Sequence, residues 1–170
     1  MKTLFLLRHA KSSWKDDTLP DFERPLNSRG KRTTKTLSDL FTSEKVKPDV
    51  ILSSCAVRAR ETIEAIIDLT RLRSELRFDE RIYEATAERL FEVIHQIEKN
   101  RRSALLVGHN PGLEELLTLL TGQSEILPTG ALVRISFNAP DWESIDGQAG
   151  KLDWVIRPKE LEKTKTKASD

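Results

Sequence analysis

Lys2-Thr3-Leu4-Phe5-Leu6-Leu7-Arg8-His9-Ala10-Lys11-Ser12-Ser13-Trp14-Lys15 is the stretch on which the reading of this chain turns. Its apolar run, Leu4 to Leu7, stops abruptly at Arg8-His9. A short apolar run between polar residues fits a buried strand, although pattern alone leaves a helical segment open. A guanidinium and an imidazole fit badly in a core. They fit the carboxyl edge of a parallel sheet, where open α/β folds place their ligands. A site at that edge needs partners from elsewhere in the chain.

Outward from this stretch, strand and helix patterns alternate. Lys11 to Asn27 has no period, carries Pro20 and Pro25, and reads as a long loop of the kind that is usually functional or disordered. Ser28 is a candidate cap for a helix to about Glu44. Asp49–Ser54 reads as a second buried strand, and Cys55 opens a helix carrying Ala59, Ile63 and Ile66 on one face. Glu75–Phe78 is a short strand, and Thr86 caps a helix to Glu98. Ser103–Val107 is the strongest strand, followed by Gly108-His109-Asn110-Pro111-Gly112. There Asn110 suits a helix cap and Pro111 the first helical position. Ala131–Phe137 and Lys151–Ile156 complete the strands, the last at an edge and one of the two antiparallel. The alternation predicts an α/β domain, three layers with a mostly parallel central sheet, over residues 1–157. Residues 158–170 are almost wholly polar and read as a tail that frays.

Two of the chain's three histidines, His9 and His109, stand just past buried strands. If those strands are parallel, both imidazoles lie at one edge of the sheet. His95 falls between inward positions of a helix and reads as a surface residue. Arg58 lies in the first turn after the second strand, where a helix dipole favours acids rather than bases. Two arginines, two histidines and helix N-termini make a pocket suited to a phosphoryl group, whose oxygens arginine binds bidentately. A neutral imidazole can then attack phosphorus. Neighbouring arginines favour the neutral form, and a bound phosphate opposes it.

These residues resemble a known family. Leu7-Arg8-His9-Ala10 is similar to the first signature of the histidine phosphatase (phosphoglycerate mutase-like) superfamily. Ser53 to Thr62 resembles its second block, and Val107-Gly108-His109-Asn110 its third, in the family's order. Asp21 to Gly30, the GHNPG run and Pro128-Thr129-Gly130-Ala131 resemble the SixA-like phosphohistidine phosphatase branch. The resemblance implies a phosphoglycerate mutase-like fold with His9 as nucleophile. Arg8, Arg58 and His109 would bind phosphate and stabilise the transferring group. Arg24 would add a contact from the long loop, and Asn110 one from the third block. Glu84 is the candidate general acid, set against an ordinary solvated carboxylate. Ala10 departs from the family's usual glycine, and Lys15 stands where mutases often have Asn. Only one helix fits between Phe78 and Ser103, which predicts an open site without a helical lid. Such a site suits a phosphate borne on a protein.

Composition narrows the remaining classes. The net charge of +1 argues against a surface built for nucleic acid. No apolar run approaches the ~20 residues of a membrane span, and the apolar run near the start is too short for a signal peptide. The single Cys55 excludes an internal disulfide and makes a reducing cytoplasm the expectation. A cysteine phosphatase needs Arg six positions after its Cys, and Glu61 stands there. No P-loop pattern is present, and the histidines lack clustered carboxylates for a metal, so no metal or cofactor is expected. The expected partner is a phosphorylated protein, such as a phosphohistidine-carrying domain, or a small phosphate ester; the oligomeric state stays open. Three functions remain: a phosphohistidine phosphatase, a phosphomonoesterase for small esters or phosphoserine, phosphothreonine and phosphotyrosine, and a non-catalytic phosphate-binding module.

Overall fold

The structure, a computed structural model, describes residues 1–169, with side chains through residue 163. Four strands run parallel: β1 (Lys2–Arg8), β2 (Val50–Ser53), β3 (Glu75–Phe78) and β4 (Ser103–Gly108). β5 (Leu132–Phe137) lies antiparallel to β1, and β6 (Gly150–Ile156) pairs antiparallel with β5 at the edge. Across the sheet the order is β3-β2-β4-β1-β5-β6. Four helices cover it: α1 (Ser28–Ser43), α2 (Val57–Thr70), α3 (Ala87–His95) and α4 (Gly112–Thr121).

The apolar run of β1 generates the layers, because successive side chains point to opposite faces. Phe5 and Leu7 pack with Leu37 and Phe41 of α1 and with Ile63 and Ile66 of α2. Leu4 and Leu6 pack with Leu90 and Ile94 of α3 and with Leu113 and Leu117 of α4. A strand covered on both faces has no use for polar alternation, which is why the run is continuous. Each buried leucine contributes roughly 1.5–3 kcal/mol, so a polar residue within the run would weaken one helical layer outright.

Register then builds the site. Arg8 pairs with Gly108, so the residues that follow, His9 and His109, emerge side by side. Ser53 pairs with Val107, which brings Ser54 to the same edge. The long loop is ordered. Ser12 bridges Leu26, Ser13 N–H donates to Pro25 O, and Asp21–Glu23 forms a 3₁₀ turn. Between β3 and β4 lie only a 3₁₀ turn (Glu80–Ile82) and α3, whose inner face is core.

Several local expectations shift. Asn27, not Ser28, caps α1, because its side chain accepts from Gly30 N–H at 2.8 Å. α2 begins at Val57, two residues after Cys55. Asn110 does not cap α4; the Asn110–Pro111 peptide is cis and the helix starts at Gly112. Thr86 caps α3 as expected, accepting from Arg89 N–H. His95 is half-buried, stacked on Phe91 and bonded through Nε2 to Ile145 O, so it is not a free surface residue. The polar end is not a frayed tail but a helix, α5 (Pro158–Ser169), opened by a proline and an acidic first turn. Asp170, the last residue of the expected tail, lies outside the described residues. No helix among the described residues is long and apolar enough to cross a membrane.

Candidate active site

His9 is fixed at its backbone and at its ring. Its N–H donates to Gly108 O at 3.2 Å. Gly130 N–H reaches both Arg8 O and His9 O at 3.0 Å, from a left-handed conformation (φ 79°) that suits glycine. In the ring, Nδ1 lies 2.7 Å from Ala10 O. A carbonyl only accepts, so Nδ1 carries the hydrogen and Nε2 keeps its lone pair. Burial, together with the charges of Arg58, Arg8 and Arg24, lowers the pKa of His9 to about 4 and outweighs the bond to Ala10. The ring is therefore neutral at pH 7.

His109 stands beside it, the two ring centroids 5.0 Å apart. Its Nε2 is 2.7 Å from the Ser54 hydroxyl, which itself accepts from Ala56 N–H at 3.2 Å. The hydroxyl proton has no other acceptor among the described residues, so it goes to Nε2 and the imidazole hydrogen sits on Nδ1. Nδ1 is buried and has no partner among the described residues. Burial first, then His9 and Arg58, lower the pKa of His109 to about 3. The site thus holds two neutral imidazoles with complementary free atoms: an acceptor on His9 and a donor on His109.

The arginines surround this pair. Arg8 donates through Nη1 to Leu127 O at 2.9 Å, and its Nε is buried without a partner among the described residues. Arg58 donates through Nη1 to Asp21 O at 2.7 Å and through Nη2 to Asp21 Oδ2 at 3.0 Å. Its Nε is also free. Arg24 lies flat on Trp14, 3.5 Å from the ring centroid, and holds Asp21 Oδ1 through Nε at 3.2 Å. Asp21 also accepts from the Tyr83 hydroxyl at 2.6 Å. Burial alone would raise the Asp21 pKa, but bonds from Tyr83, Arg58 and Arg24 hold it at about 2. Tyr83 stands edge-on to His109 and its own pKa is pushed up to about 12, so it remains a donor.

Asp21, Arg58, Glu84, His109, Asn110 and Glu115 line a cavity of about 440 Å³ on the His109 side of the pair. The sequence-derived residues meet here with different fates. His9, His109, Arg8, Arg58 and Arg24 converge; the charge of Arg24 reaches His9. Glu84 is exposed at the mouth, on a left-handed backbone (φ 51°). Asn110 lines the cavity, but its Nδ2 is committed to Glu114 Oε1 and Leu127 O. Both partners are acceptors, which fixes the amide orientation and leaves Asn110 no free N–H for a phosphate oxygen. That differs from its expected contact. Trp14 supports Arg24, while Lys11 and Lys15 are exposed. Ser54, Asp21 and Tyr83 were not foreseen. Ser54 follows β2 at the edge that singled out Arg58, and Asp21 sits three residues before Arg24; those spacings were the available signals. Among the described residues no group of three His, Cys, Asp or Glu could hold a metal ion.

Paired buried imidazoles among arginines, on this sheet, define a hydrolase of the phosphatase class. The chain belongs to the histidine phosphatase superfamily (branch 1), whose profile residues 4–100 match. An uncharacterized chloroplastic protein of Arabidopsis thaliana is 31% identical, the alignment covering 92% of this chain and 78% of that one. The structure of SixA from Agrobacterium tumefaciens, described as a candidate phosphohistidine phosphatase, matches with TM-score 0.80 and 27% identity over 92% of this chain and 98% of that one. A protein histidine phosphatase SixA complexed with tungstate matches with TM-score 0.81 at 21% identity, covering 94% of this chain and 99% of that one. These matches bear out the SixA-like resemblance and the three-layer fold.

Proposed function

We propose that this protein is a phosphohistidine phosphatase that works in two steps through His9. The observation that carries the reading is the tautomer of His9: Nδ1–H is spent on Ala10 O, which leaves a neutral Nε2 lone pair among Arg8, Arg58 and Arg24. The substrate phosphoryl group docks on the free N–H groups of Arg8 and Arg58. His9 Nε2 attacks phosphorus, a P–N bond forms, and the bond to the leaving atom breaks with its electron pair going to that atom. His109 Nδ1–H donates to a phosphoryl oxygen as charge redistributes, the kind of preset donor that stabilises a transition state. Water then attacks phosphorus, the P–Nε2 bond breaks, the pair returns to Nε2, and a proton passes to solvent. The arginines supply the charge stabilisation that a metal supplies elsewhere.

A protein-borne phosphohistidine suits the site for two reasons. No helical lid rises from the segment between β3 and β4, so the cavity is open to a bulky carrier. A protonated phosphoimidazole departs as neutral imidazole, whereas an alkoxide needs a proton from the enzyme. We place the enzyme in the cytoplasm, on the strength of its lone free Cys55.

Acid-quench labelling tests the nucleophile. Wild type should yield an acid-labile, base-stable phosphoenzyme that His9→Ala abolishes; label that survives the substitution would remove His9 from the role. Parallel assays on phosphohistidine protein, phosphoramidate, phosphoserine peptide and sugar phosphates test the substrate. Preference for sugar phosphates would overturn the reading.

A further inference from the structure

The cavity lined by His109 is unusual for a phosphate site. Of its charged lining residues, three are carboxylates (Asp21, Glu84 and Glu115) and one is the cation Arg58. Asp21 is already shared among Arg24, Arg58 and Tyr83. Glu84 and Glu115 are exposed, and neither side chain has a hydrogen-bond or ion-pair partner among the described residues. No described residue pairs with their charge. Below them the same cavity holds His109, nine-tenths buried, whose Nδ1 lacks a partner. The floor therefore asks for an anion, while the mouth repels one.

A phosphate ester meets both demands poorly. Its dianion must pass the mouth, and negative charge then builds on a leaving oxygen near Glu84 and Glu115. A phosphoryl group on a protonated ring nitrogen meets both demands well. The phosphoryl faces the arginines, and the cationic ring faces the carboxylates. A nearby opposite charge favours the charged form of a titrating group. The rim would thus hold the bound phosphoimidazole protonated at its second nitrogen. When the P–N bond breaks, its electron pair returns to the ring, which leaves neutral with that proton in place.

We propose that Glu84 and Glu115, with Asp21 behind them, form an acidic rim that selects phosphoryl groups carried on a cationic nitrogen side chain over phosphate esters. This rests on the phosphohistidine reading and gives that selectivity residues. It also assigns Glu84 an electrostatic task in place of proton donation.

The test is E84Q/E115Q, assayed for kcat/KM on a phosphohistidine peptide and on para-nitrophenyl phosphate, beside wild type. Both side chains are exposed, so the melting temperature should not move, and this is checked first. The rim predicts that phosphohistidine turnover falls and ester turnover rises, so that their ratio changes by about tenfold, as expected for two charges lining the same cavity behind partial screening. Added salt should narrow the wild-type ratio and leave that of the variant alone. Equal changes on both substrates would overturn the rim and leave the phosphohistidine reading standing. Loss of ester turnover alone would overturn it in favour of Glu84 as a proton donor. A wild type inactive on phosphohistidine would overturn the substrate reading, and the rim with it.

Discussion

Ser54→Ala removes one oxygen that serves two groups. Its hydroxyl meets His109 Nε2 at 2.7 Å and Ala56 N–H at 3.2 Å. Ser54 is fully buried, so water has no ready path to replace it. Leaving a buried polar group unpaired costs roughly 1–3 kcal/mol; two such losses put the variant about 2–6 kcal/mol below wild type. In a domain of this size that lowers the melting temperature by about 4–24 °C. Function should suffer differently. Without the hydroxyl nothing sets the tautomer of His109, and the ring can turn away from the transferring group. Misplacement of a positioned group on that scale slows chemistry roughly 10- to 100-fold. Rapid-quench measurement of phosphoenzyme formation is the assay, because it isolates the first step. The rate should fall while substrate affinity, which the proposed route assigns to the arginines, stays within a few-fold. A folded Ser54→Ala protein that forms phosphoenzyme at the wild-type rate would refute the assignment of hydrogens on His109.

Two further predictions concern the frame. In Gly30→Ala the new Cβ would lie 2.2 Å from Lys11 O, a backbone atom that also accepts from Asn27 N–H. The helix gains about 1 kcal/mol in propensity, yet α1 must separate from the loop after His9, so a net loss of about 2 kcal/mol or more is expected in urea melts; a stabilised variant would contradict the contact. Stability should also depend on pH. Burial holds His9 at about 4 and His109 at about 3, below the 6.5 of an exposed histidine. Between these values the unfolded chain binds protons that the fold refuses, so stability is full above about pH 6.5 and falls as pH drops toward 4. At pH 5 each ring costs about 2 kcal/mol, and His109→Gln should roughly halve the slope between pH 6 and 5; an unaltered slope would show that His109 is not neutral by burial.

Much of this site was legible because it depends on strand ends. An apolar run that stops at Arg8-His9, and another that stops at Gly108-His109, needed only a parallel sheet to bring the rings together, and the Arg8–Gly108 register does so. Arg58 was legible for the same reason. The unforeseen residues depend on long-range packing. Asp21 reaches Arg58 and Tyr83 only because the long loop folds across the edge, and nothing local in Lys11–Asn27 specifies that path. Ser54 was visible as a strand end, but its task required the position of His109. Asn110 misled because Asn-Pro is a good helix start on propensity; its side chain instead joins Glu114 to Leu127, beneath Arg8. The polar last segment lacks the apolar stripe that marks a core helix, so its helicity left no periodic signal.

His9 is clamped at both ring and backbone, by Ala10 on one side and by Gly108 and Gly130 on the other. If His9 is the nucleophile, as proposed, a ring held in this way cannot recoil. On the route proposed here, phosphorus has to travel to it and back along one line. The departing ring and the arriving water must then use the same mouth, one after the other. Each displacement turns phosphorus inside out, and the second undoes the first. A thiophosphoryl group made chiral with two oxygen isotopes, and hydrolysed in water enriched in the third, should leave this enzyme with its original handedness.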